Sequence, residues 1–235
     1  MPSRGRKPRD EEKPRGSWAE RAADRSPAVR RSRTRGVEKA KQIVEAARRL
    51  VAAKGTDFTT QQLVREAGVA IQTFYNYFPS KDQVLLSLME ELINESCAVL
   101  ERRGRELPDP VSRLRYYIRA LIDTVGTEGA GGAHPRFVTT EHWRLHQLYP
   151  EELSHATRRY AELLIPEIRA AAERGLLRPV HEEYDAWLVT QLIISVYHYY
   201  AYAPLDAPAE VLADRVWAFC LAALGGTPEL SEGPI

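Results

Sequence analysis

The segment from Thr59 to Ala70 constrains the fold more than any other stretch of the chain. Thr59 is a favoured helix N-cap residue, Thr60 to Ala67 suits a short helix, and Gly68 can take the left-handed backbone that a sharp turn needs. A third helix of the chain follows at once, from about Ala70 to Tyr77, and Pro79 with Ser80 separates it from what comes next. Leu63, Ala67, Val69, Phe74 and Phe78 lie at helical spacing and form a small apolar set able to hold the two helices at a fixed angle. A short helix, a one-glycine turn and a second helix make a helix-turn-helix.

The rest of the chain repeats the helical period. Ile43, Ala46, Ala47, Leu50 and Val51 mark an amphipathic helix from Val37 to Lys54, which Gly55 ends. Ser80 caps a long helix from Lys81 to about Arg105, and Pro108 and Pro110 precede another from about Val111 to Val125. The glycine-rich stretch from Gly126 to Pro135 is the expected hinge or pocket edge. Four more helices are expected: Phe137 to Leu148, Pro150 to Gly175 with a kink at Pro166, Glu182 to Tyr202 and Ala209 to Leu224. No segment alternates as a strand does and no repeat recurs, so the fold class is all-α with about nine helices.

Charge is distributed unevenly. The net charge is only +1, yet residues 1 to 36 hold 12 Arg and Lys against 5 Asp and Glu, which leaves the remainder acidic. This arm is rich in Arg, Pro and Ser and poor in large apolar side chains, so it is expected to be disordered and to suit phosphate. The two cysteines, Cys97 and Cys220, make neither a disulfide framework nor a zinc spacing, and read as small core residues of a reducing compartment. The longest apolar run, Ala186 to Val196, is too short for a bilayer, and no apolar segment follows the basic start. A cytoplasmic protein with no membrane contact is expected.

Functional readings start from the second helix of the helix-turn-helix, the one that can enter a major groove. Its polar face offers Gln72, Thr73 and Asn76, whose amide and hydroxyl groups can reach base edges, Gln and Asn suiting adenine. Tyr75, Tyr77 and Lys81 flank that face, and Thr60 with Gln61 begins the preceding helix, all suited to backbone phosphate. Periodicity by itself favours a plain helical core, since aromatic residues at helical spacing are more often core than a recognition element. The stretch TTQQLVREAGVAIQTFYNYFPSKDQVLLSL, residues 59 to 88, resembles the signature of the TetR family: Thr-Thr, an apolar pair, Ala-Gly-Val, Thr-apolar-Tyr, an aromatic pair, Lys, then an apolar helix. The likeness extends over roughly residues 37 to 92. It implies a three-helix DNA-binding domain, a larger helical effector domain, and a dimer paired through its last two helices. It also implies that Thr60, Gln61, Gln72, Thr73, Tyr75, Asn76, Tyr77 and Lys81 stand where family members touch operator DNA. Ala70, Ile71 and Gln72 depart from the small-residue-and-Gly pattern common ahead of the Thr, so base preference does not carry over.

The expected domains are therefore a basic arm, 1–36, a DNA-binding domain, 37–80, and an effector and dimerisation domain, 81–228. Candidate pocket residues are Tyr116, Phe137, His142, Trp143, His146, Tyr197 and His198, because apolar walls with a few polar tips suit small molecules. Candidate dimer residues are Trp187, Ile194, Val216, Trp217 and Phe219, an apolar excess for one chain. His142 and His146 are spaced i, i+4 but have no third ligand nearby, so neither a metal nor a cofactor is expected. The expected partners are a palindromic double-stranded operator, an unidentified small-molecule effector and a second copy of the chain. The expected function is repression relieved by the effector. Two rivals are an interaction module that has lost DNA binding and an enzyme using His134, His142 or His146 as a base, although no nucleophile motif or paired carboxylates support the latter.

Overall fold

The structure is a computed structural model that describes residues 27–123, 135–205 and 207–227. Two units make up the chain, Met1–Gln42 and Ile43–Ile235. Among the described residues there are nine helices: α1 (Pro27–Lys54), α2 (Thr60–Ala67), α3 (Ile71–Tyr77), α4 (Lys81–Gly104), α5 (Pro110–Asp123), α6 (Pro135–Leu148), α7 (Pro150–Glu173), α8 (Glu182–Tyr200) and α9 (Ala209–Ala223). The fold is all-α, as the periodicity predicts.

The first helix starts ten residues earlier than expected, which corrects the disorder expected for residues 27–36. Pro27 is pre-organised for a first helical turn, and the Arg-rich stretch after it contains no further breaker before Gly36. Residues 1–26 of the expected arm lie outside the described residues. So do residues 126–134 of the glycine-rich stretch, with His134 among them. Helix α7 carries Pro166 in its interior without ending there.

Local chemistry sets most boundaries. Thr59 and Gln62 form a reciprocal capping box at the start of α2, with bonds of 3.2 Å from the Gln62 amide to the Thr59 hydroxyl and 2.9 Å from the Thr59 amide to Gln62 Oε1. Gly68 ends that helix at φ 62°, ψ 38°, a conformation in which a side chain would be strained. Ser80 Oγ caps α4, and Asp109 Oδ1 caps α5 by accepting from the amides of Val111 and Ser112 at 2.9 and 3.0 Å. Burial opposes the Asp109 charge, but the bonds from Ser112 and Val111 outweigh it and hold the carboxyl below its ordinary pKa.

In the larger unit, α5 packs against α9, α7, α8 and α4, while α7 packs against α4, α8, α5 and α6. Leu114, Ile118 and Ile122 on α5, Ile168 on α7 and Trp217 on α9 are fully buried there. Gly104 lets α4 and α5 close tightly, because a Cβ at that position would overlap the buried Tyr117 ring. Both cysteines are buried, and burial pushes each thiol up to about 12, which makes them inert core residues.

Candidate DNA interface and effector cavity

Helices α2 and α3 pack through Leu63, Ala67, Phe74 and Phe78, all of them buried, with the Phe74 and Phe78 rings 6.3 Å apart. Burying Phe74 points the other side of a seven-residue helix to solvent. Gln72, Tyr75, Asn76 and Tyr77 are exposed there, and Thr73 is half-buried. Gln61 is exposed at the start of α2 and Thr60 half-buried beside it. One further side chain belongs to this surface. Ile71, 44% exposed at the first position of α3, is an apolar group of the kind that packs against a thymine methyl. Its exposure depends on where Phe74 turns the helix, and its residue type alone suggests core.

Lys81 has a different setting from its neighbours. Its ammonium donates to the carbonyl oxygens of Thr56 and Phe58, both at 3.0 Å, and stands 5.0 Å from the centre of the Phe58 ring. Two of its three N–H groups thus fasten the loop ahead of α2, leaving one for a phosphate.

That loop is also tied to the larger helical part. The Thr56 hydroxyl donates to Glu141 Oε1 on α6 at 3.0 Å. Glu141 Oε2 accepts from Arg144 Nε and Nη2 at 2.9 and 2.8 Å, and the same Nη2 lies 2.9 Å from Asp82 Oδ1 at the start of α4. The bond to Asp82, with Glu141 added, holds the Arg144 guanidinium pKa above its ordinary value in spite of burial. Glu141 itself is buried. In the sequence Glu141 and Arg144 look like any i, i+3 pair on a solvated helix face, and only the packing of α6 reveals the link.

A cavity of about 670 Å³ opens between α4, α5, α6, α7 and α8. Of the candidate pocket residues, Tyr116, His142, Tyr197 and His198 line it. Trp143 and His146 do not: both are exposed, with the Trp143 ring 6.0 Å from His198 and the His146 ring stacked 6.2 Å from His142, and the Phe137 side chain lies outside the described residues. Val138 and His142, four apart, face the cavity together, and His146, one turn further along the same face, lies beyond its lining. The walls contributed by α4 and α7, including Met89, Ile93, Ser96 and Tyr160, were not legible, because those helices read simply as amphipathic. His142 and His198 have ring centres 4.6 Å apart. Burial lowers the His142 pKa to about 4, with further lowering from His198 and His146, and burial lowers His198 too. Among the described residues no three His, Cys, Asp or Glu side chains could hold a metal ion together.

The candidate dimer residues divide. Trp187 and Phe219 are exposed, at 43% and 65%. Val216 and Trp217 are corrected, since both are buried within their own chain and leave little surface for a second copy, while Ile194 is half-buried and lines the cavity. The helical period turns Trp217 toward α5 and leaves Phe219 on the opposite side. Leu188, Val211 and Tyr184 extend the exposed apolar surface, the last stacked on Trp187 at 5.4 Å. No helix among the described residues is long and apolar enough to cross a membrane.

Comparison with known proteins agrees with this arrangement. Residues 43–88 match the model of the family described as "Bacterial regulatory proteins, tetR family". The HTH-type transcriptional regulator EthR of Mycolicibacterium smegmatis is 34% identical over 109 residues, which are 45% of this chain and 50% of that relative. The match thus spans about half the length of that curated relative. In fold the chain is similar to RolR in complex with resorcinol, with a TM-score of 0.66 and 17% identity over 86% of this chain and 97% of that one. It is also similar to Thermus thermophilus FadR in complex with lauroyl-CoA, with a TM-score of 0.63 and 22% identity over 79% and 94% of the two chains. The capping box, the Gly68 turn and the aromatic core of α3 all lie inside the segment, residues 43–88, that matches the model of the tetR family of bacterial regulatory proteins.

Proposed function

We propose that the chain is a sequence-specific repressor, released from a palindromic operator when a small molecule enters the cavity. The observation that carries this reading is the exposed polar face of α3, backed by fully buried Phe74. Residues 37–80 form the DNA-binding domain and 81–228 the effector and dimerisation domain. Gln72, Thr73 and Asn76 read base edges, Ile71 packs on a methyl group, and Thr60, Gln61, Tyr75, Tyr77 and Lys81 contact backbone phosphate. A relative named as an HTH-type transcriptional regulator supports the DNA half of the reading, and the resorcinol and lauroyl-CoA complexes of similarly folded proteins support the effector half. Two copies pair through the exposed apolar side chains of α8 and α9, Trp187, Leu188 and Phe219 among them, which sets two recognition helices on a two-fold site.

Selection of bound sequences from random duplex DNA by the purified protein tests this directly. Enrichment of a palindrome supports the dimeric reader, and enrichment of nothing, with or without candidate effectors, would sink it. On the selected site, Gln72→Ala and Asn76→Ala should each cost about 1–3 kcal/mol and relax base preference at one position in each half. An equal loss on random DNA, measured by competition, would remove them as readers.

Helix α6 links the two halves of the mechanism, since His142 lines the cavity while Glu141 and Arg144, on the same helix, hold Thr56 and Asp82. A ligand that shifts α6 therefore biases the loop ahead of α2. Glu141→Gln should leave ligand affinity unchanged and weaken the ligand's effect on operator affinity about fivefold, or roughly 1 kcal/mol of coupling. Operator titrations with and without a releasing compound measure it, and full coupling in the variant would exclude this path.

A further inference from the structure

Taking the cavity as the effector site proposed above, we infer that its occupant is an uncharged, largely apolar molecule that carries a hydroxyl group. The case rests on what the walls offer. Met89, Ile93, Val138 and Ile193 supply apolar surface that a hydrocarbon body would cover. Fixed charge at the wall is already paired, because the Arg48 guanidinium lies 2.7 Å from Glu95 and 3.4 Å from Glu91. Arg103 reaches the lining from an exposed position, where water screens it. The imidazoles of His142 and His198 stand 4.6 Å apart and are both held neutral by burial, so neither offers a positive charge near neutral pH. A carboxylate or ammonium group moving inside would lose its hydration, and among the described lining residues a carboxylate would find only the exposed, water-screened Arg103 unpaired.

A wholly apolar occupant fits no better. Burial pushes the Tyr197 hydroxyl up to about 12, and among the described residues it has no hydrogen-bond partner. His198, next to it on α8, is likewise shifted by burial alone. Covering these groups with hydrocarbon would strip their remaining water and leave them unsatisfied. A hydroxyl both donates and accepts, so it can pair with a phenol and with either tautomer of a neutral imidazole. The cavity volume of about 670 Å³ falls within the ordinary range for a drug-sized molecule.

Three probes of nearly one shape separate the possibilities: para-butylphenol, para-butyltoluene and para-butylbenzoate, titrated calorimetrically into the full chain at neutral pH. The phenol should bind about tenfold more tightly than the toluene, the worth of one net hydrogen bond, and the benzoate should bind no better than the toluene. In Tyr197→Phe or His198→Phe the preference for phenol over toluene should fall several-fold, with toluene affinity kept as a check that the cavity is intact. Toluene or benzoate binding as tightly as phenol, no binding by any of the three, or an undiminished phenol preference in both variants would overturn the inference. Operator affinity read in the same samples tests the other claim. Phenol binding that leaves DNA affinity untouched would count against the effector reading and leave the ligand class standing.

Discussion

Phe74→Ala should abolish operator binding at physiological temperature while ligand binding in the cavity persists. The side chain is fully buried, and removing a buried Phe costs about 3–5 kcal/mol from lost transfer energy and the cavity left behind. Helix α3 has few other sources of stability. It is seven residues long, too short to persist alone in water, and Ala70 at its N-cap gives no side-chain hydrogen bond. The polar face should therefore lose its geometry although every polar residue on it remains. Urea unfolding monitored beside DNA binding would check this, and lower temperature should restore part of the binding if the loss is one of stability. Operator affinity within a few-fold of the unmodified protein would show that α3 is held by something other than this ring. Asn76→Ala is the matched control, since an exposed residue should change recognition with little change in stability.

The second large effect is expected with acid. His142 has a folded pKa of about 4 against an ordinary value of 6.5, so between those values the unfolded chain binds a proton that the folded chain refuses. Stability from this group is complete above about pH 6.5 and is lost as pH falls toward about 4. The loss amounts to at most about 3 kcal/mol, less to the extent that water reaches the ring. His198, lowered in the same direction, adds to the fall over the same side of its ordinary value. In His142→Phe the melting temperature should decline less steeply over that window, while the two proteins keep parallel profiles above it. Identical slopes in acid would mean that the imidazole takes up its proton in the folded state at little cost.

The two sites differed in how much could be read in advance. The proposed recognition face was legible because its logic is local: Thr59, Gly68, Phe74 and Phe78 act within twenty residues, and a helical period then assigns Gln72 and Asn76 to the opposite side. The cavity was legible only in part. His142, Tyr197 and His198 stood out as polar tips on apolar helices, but Trp143 and His146 shared the same composition and lie exposed outside the lining. Residue type says that a side chain could line a pocket, and only packing says which way its helix is turned. The same rule governs α9, where an apolar excess pointed to an interface but Val216 and Trp217 are spent on the chain's own core.

The sequence by itself determined the all-α class, the order of the helices and most of their ends, since each follows from nearest-neighbour chemistry: caps, breakers and the 3.6-residue period. Tertiary structure alone decided that the Lys81 ammonium holds the carbonyls of Thr56 and Phe58, that Glu141 and Arg144 tie α6 to Thr56 and Asp82, and that five helices leave a cavity between them. These features join residues as far apart as 56 and 141. Such contacts are set by how whole helices pack, a balance of many small burial terms that no local pattern encodes.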